Sequence, residues 1–296
     1  MATSLGTRMR ADGLTQESSV QSTAKNNGEA SNAPEAFLRW AGSKRQLVPL
    51  LQEYWQPTFV RYIEPFVGSG VLFFAISPTN AVLGDTNREL ISTYRQVRHS
   101  FREVAELLAT MTRDKDAYYT LRAMDAATLS MPERAARFIY LNRFCFNGLY
   151  RTNKQGRFNV PFGASKSGEL PSLTLLESCA RLLRRAKLVR GDFESVLDVS
   201  RTGDFVYMDP PYRVTAVRTF RQYSEGAFTE PDMTRLRRRM LDLKKRKVTF
   251  LVSYVESPEG RFLAKGFRVR LAQVRRNIAG FSGSRGPIRE MLISWP

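Results

Sequence analysis

The segment Asp209-Pro210-Pro211-Tyr212 follows an apolar run at 205–208 and combines an acid, two prolines and an aromatic side chain. Proline cannot continue the hydrogen-bond ladder of a strand, so two of them predict a rigid corner at the strand's end. The Asp209 carboxylate and the Pro210 carbonyl are acceptors suited to the two protons of an exocyclic amine. They would favour a tetrahedral nitrogen and stabilise the positive charge that develops on it. Tyr212 could stack on a base swung out of a duplex.

This corner indicates group transfer to an aromatic amine such as N6 of adenine, a poor nucleophile because its lone pair is delocalised into the ring. A donor that carries its own leaving group would need no tuned general base and no metal. Positioning would then supply much of the remaining rate. The alternative interpretation is an ordinary loop at the end of a strand.

A glycine turn at 66–70 (FVGSG) lies between a predicted strand, 59–63, and an apolar helix that runs through Ile76. Glycines let the backbone approach a ligand, and the helix start offers free amide groups. Asp85 ends the next predicted strand, where its carboxylate could accept hydrogen bonds from both ribose hydroxyls. The third glycine of a dinucleotide fingerprint is lacking, which favours a nucleoside over a pyrophosphate. The alternatives are a tight connection at the glycines and a helix N-cap at Asp85.

Predicted strands alternate with predicted helices along most of the chain. Alternation of this kind is typical of an α/β fold with a mostly parallel, doubly wound sheet. Ligands of such sheets bind at the carboxyl ends of strands, where the glycine turn, Asp85 and Asp209 all lie. The pattern changes between Tyr150 and Phe162 to a polar, aromatic hairpin that turns at 154–156. The predicted strands are 59–63, 81–85, 205–208, 248–254, 267–274 and 290–295; the predicted helices include 231–245 and 173–185, which leads to the segment 188–192.

The charge balance points to a polyanionic partner. Lysine and arginine number 46 against 28 acidic residues, a net charge of +18, and the excess is clustered. Residues 134–168 hold seven basic side chains and no acidic one, and residues 237–247 hold seven against a single acid. Neutralising phosphates releases condensed counterions, so we expect a nucleic acid. The alternative is solvated charge from an arginine-rich composition.

Other residue types exclude several classes of site. His99 is the only histidine, which argues against a histidine-ligated metal or a Ser-His-Asp mechanism. Cys145 and Cys179 lack metal-type spacing and suit a reducing compartment. No apolar run reaches membrane-spanning length, and residues 1–34 are too polar to fold, so they predict a disordered tail without a secretory signal.

Five segments, in this order, resemble the Dam-type (D12-like) DNA adenine-N6 methyltransferases from about Phe37 to the C-terminus. They are FLRWAGSK (37–44), EPFVGSG (64–70), LNRFCFNGLYR (141–151), GRFNVPFG (156–163) and DPPY (209–212). The resemblance implies a Rossmann-like methyltransferase sheet, S-adenosylmethionine as donor and double-stranded DNA as substrate. The catalytic residues that it implies are Asp209, Pro210, Pro211 and Tyr212. The donor-binding residues that it implies are Trp40, Lys44, Phe66, Gly68, Gly70, Asp85, Asp192, Phe193 and Asp209.

The block from Phe146 to Lys166 resembles the family's target-recognition region, in which Phe146 would insert into the duplex. Arg151 and its neighbours would read base edges, each contact contributing roughly 1–3 kcal/mol of discrimination. A hairpin that touches only phosphates is the alternative. Arg39 and Ser165 stand where the best-known member carries a lysine and an aromatic residue, so the first base of a GATC site is left open. The DNA-binding residues implied are Arg39, Phe146, Asn147, Leu149, Arg151, Asn153, Pro161 and Lys166.

We therefore predict a catalytic domain at 35–98 and 187–296, and a small, mainly helical recognition domain with a β-hairpin at 99–186. The expected protein is a monomer without an obligate protein partner or membrane contact. It would act in the cytoplasm of a bacterium, on the nucleoid, and be bacterial or phage-encoded. Rival functions are a methyltransferase of RNA or of a protein amide, and an inactive DNA-binding relative; a nicotinamide dehydrogenase is more distant.

Overall fold

The computed structural model describes residues 33–163, 168–213, 228–274 and 288–296, all within one compact unit, Ala33–Pro296. The predicted tail therefore lies outside the described residues except for its last two positions. Among the helices described, none is long and apolar enough to cross a membrane.

Seven strands form one sheet in the order β3-β2-β1-β4-β5-β7-β6. Strands β1 to β5 pair in parallel, whereas β7 runs antiparallel between β5 and β6. The chain order reverses between β1 and β4, and such a switch point opens a crevice at the carboxyl ends of the two strands. The strands are β1 (Tyr62–Glu64), β2 (Ala81–Asp85), β3 (Ala186–Arg190), β4 (Phe205–Met208), β5 (Thr249–Val255), β6 (Arg268–Val274) and β7 (Ile288–Trp295).

Helices cover both faces of the sheet, which confirms the predicted doubly wound α/β class. Alternate residues of a strand face opposite sides, so Tyr62 packs in one apolar cluster with α3, α5 and α6, whereas Ile63 packs in a second with α7, α8 and α9. The helices are α1 (Val48–Gln52), α2 (Val71–Ile76), α3 (Arg88–Ala109), α4 (Lys115–Ala123), α5 (Met131–Phe144), α6 (Leu173–Leu183), α7 (Phe193–Leu197), α8 (Glu230–Lys245) and α9 (Pro258–Ala264).

The first strand begins three residues later than predicted. Phe59 lies in a turn, its N–H bonded to the carbonyl of Gln56, and its ring packs on Phe205 at 5.3 Å between centroids. Phe59 is therefore apolar because it packs on the core from a loop, not because it belongs to a hydrogen-bonded strand. The strand assignment for Phe59 is wrong.

The segment between α3 and α6 contains α4, α5 and the predicted hairpin. The hairpin turns where expected, with the Asn153 N–H bonded to the Arg157 carbonyl at 2.9 Å. Its two arms meet only at isolated bridges, Thr152 with Phe158 and Cys145 with Phe162, so they are not continuous strands. The division into a catalytic and a recognition domain stays a prediction.

Candidate active site

The acid–proline corner forms where β4 ends. Lys44 Nζ lies 2.7 Å from Asp209 Oδ1, and Ser253 on β5 donates a second hydrogen bond to the same oxygen at 2.9 Å. Tyr207 in turn bonds Ser253 Oγ at 2.9 Å. Within the described ranges no donor reaches the other oxygen, Oδ2, and the side chain is 20% exposed. One oxygen of Asp209 is therefore fixed, and the other can accept a proton from a ligand.

Lys44 is almost fully buried at this corner. Its ammonium also donates to the Gly42 carbonyl at 3.1 Å and to Tyr212 Oη at 3.4 Å. Burial lowers the pKa of Lys44. The Coulombic effects of Asp209, Tyr212 and Glu290 outweigh burial, so the pKa lies above its usual value. Lys44 is thus a fixed cation that orients the Asp209 carboxylate.

Tyr212 is held at its hydroxyl end and at its ring. Its Oη donates to Glu290 Oε1 on β7 at 2.6 Å, and its ring meets Tyr254 edge-on at 5.3 Å. The backbone N–H of Arg213 donates to Tyr254 Oη at 3.0 Å. Burial raises the pKa of Tyr212, so the phenol stays protonated and acts as a donor.

The glycine turn brings two predicted site residues into contact. Gly68 has a φ of 45°, and a Cβ on it would lie 2.9 Å from Cδ1 of Trp40. Its N–H donates to Asp85 Oδ2 at 3.2 Å, while Asp85 Oδ1 accepts from the Asn87 N–H at 2.9 Å. The N-cap of α3 is Asn87, which accepts from the Leu90 N–H, so Asp85 instead ties β2 to the turn. Burial raises the pKa of Asp85.

Glu64, the last residue of β1, is a site residue that the sequence interpretation missed. It is 2% exposed, and its Oε2 accepts no hydrogen bond from the part of the chain that the structure describes. Burial raises its pKa well above the ordinary value, and the charges of Asp209 and Asp85 add to the effect. The sequence signal that could have identified Glu64 is an acidic residue directly after the apolar predicted strand 59–63.

An aromatic wall continues the site on the other side of the turn. Phe66 stacks on Phe193 at 5.3 Å, and the Arg235 guanidinium lies 4.8 Å from the Phe193 centroid. Asp192 caps α7 by accepting from the Glu194 N–H and also pairs with Arg235 at 2.5 Å. The stacked rings of Phe66 and Phe193 therefore lie next to the acid Asp192, with Phe193 itself buried.

The predicted DNA-binding residues surround the turn after α5. Phe146 is 41% exposed, Leu149 is 38% exposed, and Asn147 has a left-handed φ of 55°. Arg151 is exposed and donates to Asn159 Oδ1 at 2.7 Å. These side chains share one surface segment that is continuous with the hairpin.

Other members of that predicted set also have structural contacts. Arg39 exchanges backbone hydrogen bonds with the Asn142 side chain, which fixes it beside α5. Asn153 Oδ1 accepts from two backbone N–H groups of the hairpin turn, and the exposed Pro161 accepts from the Phe146 N–H. Lys166 lies outside the described residues. Contact of these residues with DNA stays a prediction.

The basic run at 237–247 contributes less free charge than its composition indicated. Arg237 donates to the Leu263 carbonyl and lies 4.8 Å from the Phe267 centroid. Several arginines of α8 and its end form ion pairs: Arg235 with Asp192, Glu194 and Asp232, Arg238 with Glu194, Arg239 with Asp198, and Arg246 with Asp242. Part of this charge therefore attaches α8 to α7 through Arg238 and Arg239 and to α9 through Arg237.

Comparison with known proteins shows which family the chain resembles. Residues 40–278 match the model of the D12 class N6 adenine-specific DNA methyltransferases. The chain is 37% identical over 267 residues to a type II methyltransferase of Lactococcus lactis subsp. cremoris, covering 87% of this chain and 94% of that relative. It is 32% identical to a type II methyltransferase of Methanocaldococcus jannaschii, covering 82% and 92%. It is also 32% identical to the DNA adenine methylase of Escherichia coli K12, covering 87% and 94%.

Proposed function

The chain belongs to the D12 class N6 adenine-specific DNA methyltransferases, and from that premise we propose that it methylates N6 of a flipped adenine in double-stranded DNA with S-adenosylmethionine as donor. The observation that carries the proposal is the position of Asp209. It ends β4 at the switch point, beside β1 and the glycine turn, with Oδ1 held by Lys44 and Oδ2 open to a ligand.

The residues around the glycine turn fit this donor. Gly68 packs so closely against the Trp40 ring that a side chain would collide, so only glycine allows the turn to lie against a ring that we propose contacts the donor. The buried Glu64 carboxyl has an oxygen without a hydrogen-bond partner among the described residues, so it fits a cationic group. We propose that Asp85 accepts the ribose hydroxyls and that Phe66, Phe193 and Asp192 receive the adenine ring.

The catalytic corner would act by holding protons and charge. When bound, the donor supplies a sulfonium methyl with its own leaving group. Asp209 Oδ2 and the Pro210 carbonyl would accept the two N–H protons of the target amine and stabilise its developing positive charge. The Tyr212 ring would stack on the extruded base. Lys44 keeps Asp209 oriented for this contact, and no step requires a metal.

We propose that the segment at 99–186 is the target-recognition domain. Phe146 would fill the space left by the flipped base, and Arg151 would read a base edge. We propose that the reaction is site-specific, at GATC or a related sequence. The enzyme would be either a lone methyltransferase or one half of a restriction–modification pair.

Incubation with methyl-labelled donor and either duplex DNA or RNA tests the substrate class. We expect label in DNA, at N6 of adenine, and label confined to RNA would refute the proposal. Asp209→Ala should abolish transfer, while donor binding measured by titration largely survives. Asp242→Ala, a substitution of a surface acid on α8, is the matched control and should keep full turnover. An active Asp209→Ala variant would remove Asp209 from the mechanism.

A further inference from the structure

Glu290 reaches the catalytic corner from the last strand of the chain. Strand β7 inserts antiparallel between β5 and β6, and Glu290 pairs in register with Val255. The side chain is 5% exposed, and its Oε1 accepts the Tyr212 hydroxyl at 2.6 Å across 78 residues of sequence. A carboxyl group buried this deeply needs polar partners. The contact therefore joins the acid–proline corner to the antiparallel half of the sheet.

This contact acts on Tyr212 together with the Lys44 ammonium, which donates to the same hydroxyl at 3.4 Å, and with a restraint on the ring. That restraint is Tyr254, whose ring packs edge-on against the Tyr212 ring at an interplanar angle of 79°. Tyr254 also fixes the next residue through the Arg213 N–H. With the hydroxyl end and the ring both held, the plane of Tyr212 is set before a base arrives. A stacking surface that is already oriented loses little entropy when the base binds.

We propose that Glu290 is a positioning residue for methyl transfer. Its hydrogen bond to Tyr212 Oη fixes the plane on which the target adenine stacks, and thereby aligns the amine with Asp209. The inference rests on the proposed function but adds a residue outside the acid–proline motif. Glu290 touches no reacting atom; its hydrogen bond acts through Tyr212, whereas its charge also acts on Lys44.

Four variants test this pathway in single-turnover methylation of a short duplex: Glu290→Ala, Glu290→Gln, Tyr212→Phe and the double variant Tyr212→Phe/Glu290→Ala. Glu290→Ala should slow transfer by roughly tenfold to a hundredfold, the range for losing a hydrogen bond to a charged acceptor. Its KM for the donor should stay within about twofold. Glu290→Gln keeps an acceptor oxygen and should recover most of the rate. The double variant should be no slower than the slower single variant.

The base itself gives an independent readout. With 2-aminopurine at the target position, the fluorescence of the flipped base should differ between wild type and Glu290→Ala, because stacking on Tyr212 changes. Glu256→Ala is the matched control, since this acid at the end of β5 pairs with Arg261 and Arg289 instead. It should leave rate and fluorescence unchanged.

Any of three results would overturn the inference. They are a wild-type rate in Glu290→Ala, no recovery of the rate in Glu290→Gln, and a rate loss in the double variant equal to the product of the two single losses. If Glu290→Ala does not fold, Tyr212→Phe decides, because a wild-type rate there shows that the hydrogen bond is irrelevant. Failure of the proposed function is distinct, since it would appear as absence of adenine methylation by the wild-type chain.

Discussion

Replacing Glu64 by glutamine should stabilise the ligand-free protein increasingly as pH rises. Burial raises the pKa of this carboxyl well above its ordinary value of 4.5. Between the unfolded and the folded pKa, the native state holds a proton that the unfolded chain has released. The free energy of unfolding of the wild type therefore falls as pH rises through that interval, by about 1.4 kcal/mol per pH unit from this group. Glutamine has no such proton to lose.

The assay is urea unfolding of wild type and Glu64→Gln at pH 5, 6, 7 and 8. In the native state both side chains are neutral at the low end of this range, and the two proteins should differ least there, by about 1 kcal/mol, the scale of a typical substitution. The difference should then grow in favour of the variant, with a slope of up to about 1.4 kcal/mol per pH unit until the folded pKa is reached.

Donor binding should show the opposite preference. In the proposed site the cation of the donor favours ionised Glu64, so binding should release a proton from the wild type and not from the variant. Calorimetric titration in buffers of different ionisation enthalpy measures that proton. Glu256→Gln, in which a carboxylate paired with two arginines is changed, should show neither effect. A stability difference that is independent of pH, or that grows in favour of the wild type, would refute the reasoning.

Three further predictions concern the rest of the site. Gly68→Ala should weaken donor binding, measured by titration, by about tenfold or more, because both the left-handed φ and the 2.9 Å approach to Trp40 oppose a Cβ. An unchanged affinity would contradict the proposed role of the glycine turn in donor binding. Ser253→Ala should lower the single-turnover rate by about tenfold with little change in donor KM, since it removes one of two donors to Asp209 Oδ1. Arg151→Ala should broaden the methylated sequences found by sequencing, and an unaltered pattern would exclude base reading.

The sequence predicted the parts of the site that lie on short segments. Asp209 and Gly68 were placed correctly at strand ends, because a proline pair and a glycine turn have local causes that the neighbouring residues reveal. The predicted parallel sheet then put both at one edge. The N-cap alternative for Asp85 could be rejected only from the structure, because Asn87 two residues later satisfies the same local rule.

The sequence did not predict Glu290 or Ser253 as site residues. Ser253 reaches the corner through the parallel register of β4 and β5, and Glu290 reaches it through the antiparallel pairing of β7 with β5; no local pattern specifies the partners in either pairing. Counting charges in the sequence had the opposite weakness, because it predicted a binding surface where part of the charge is paired. The run at 237–247 looks like a surface for a polyanion, yet Arg239 and Arg246 pair with the exposed acids Asp198 and Asp242 of the same protein. Composition reports the number of charges, whereas only three-dimensional packing shows which of them are compensated.

The site holds an excess of carboxyl groups, which lowers the stability of the ligand-free protein and favours the proposed cationic donor. Glu64, Asp85, Asp209 and Glu290 bring four carboxyl groups to one crevice, and Lys44 is the cation that pairs with Asp209 there. Burying unbalanced carboxyls is costly, so the ligand-free fold must hold a proton on Glu64 or lose stability. A cationic donor offsets that cost, whereas the neutral thioether left after transfer does not. The same excess of acid that destabilises the empty crevice would therefore favour the reactant over the product and assist product release.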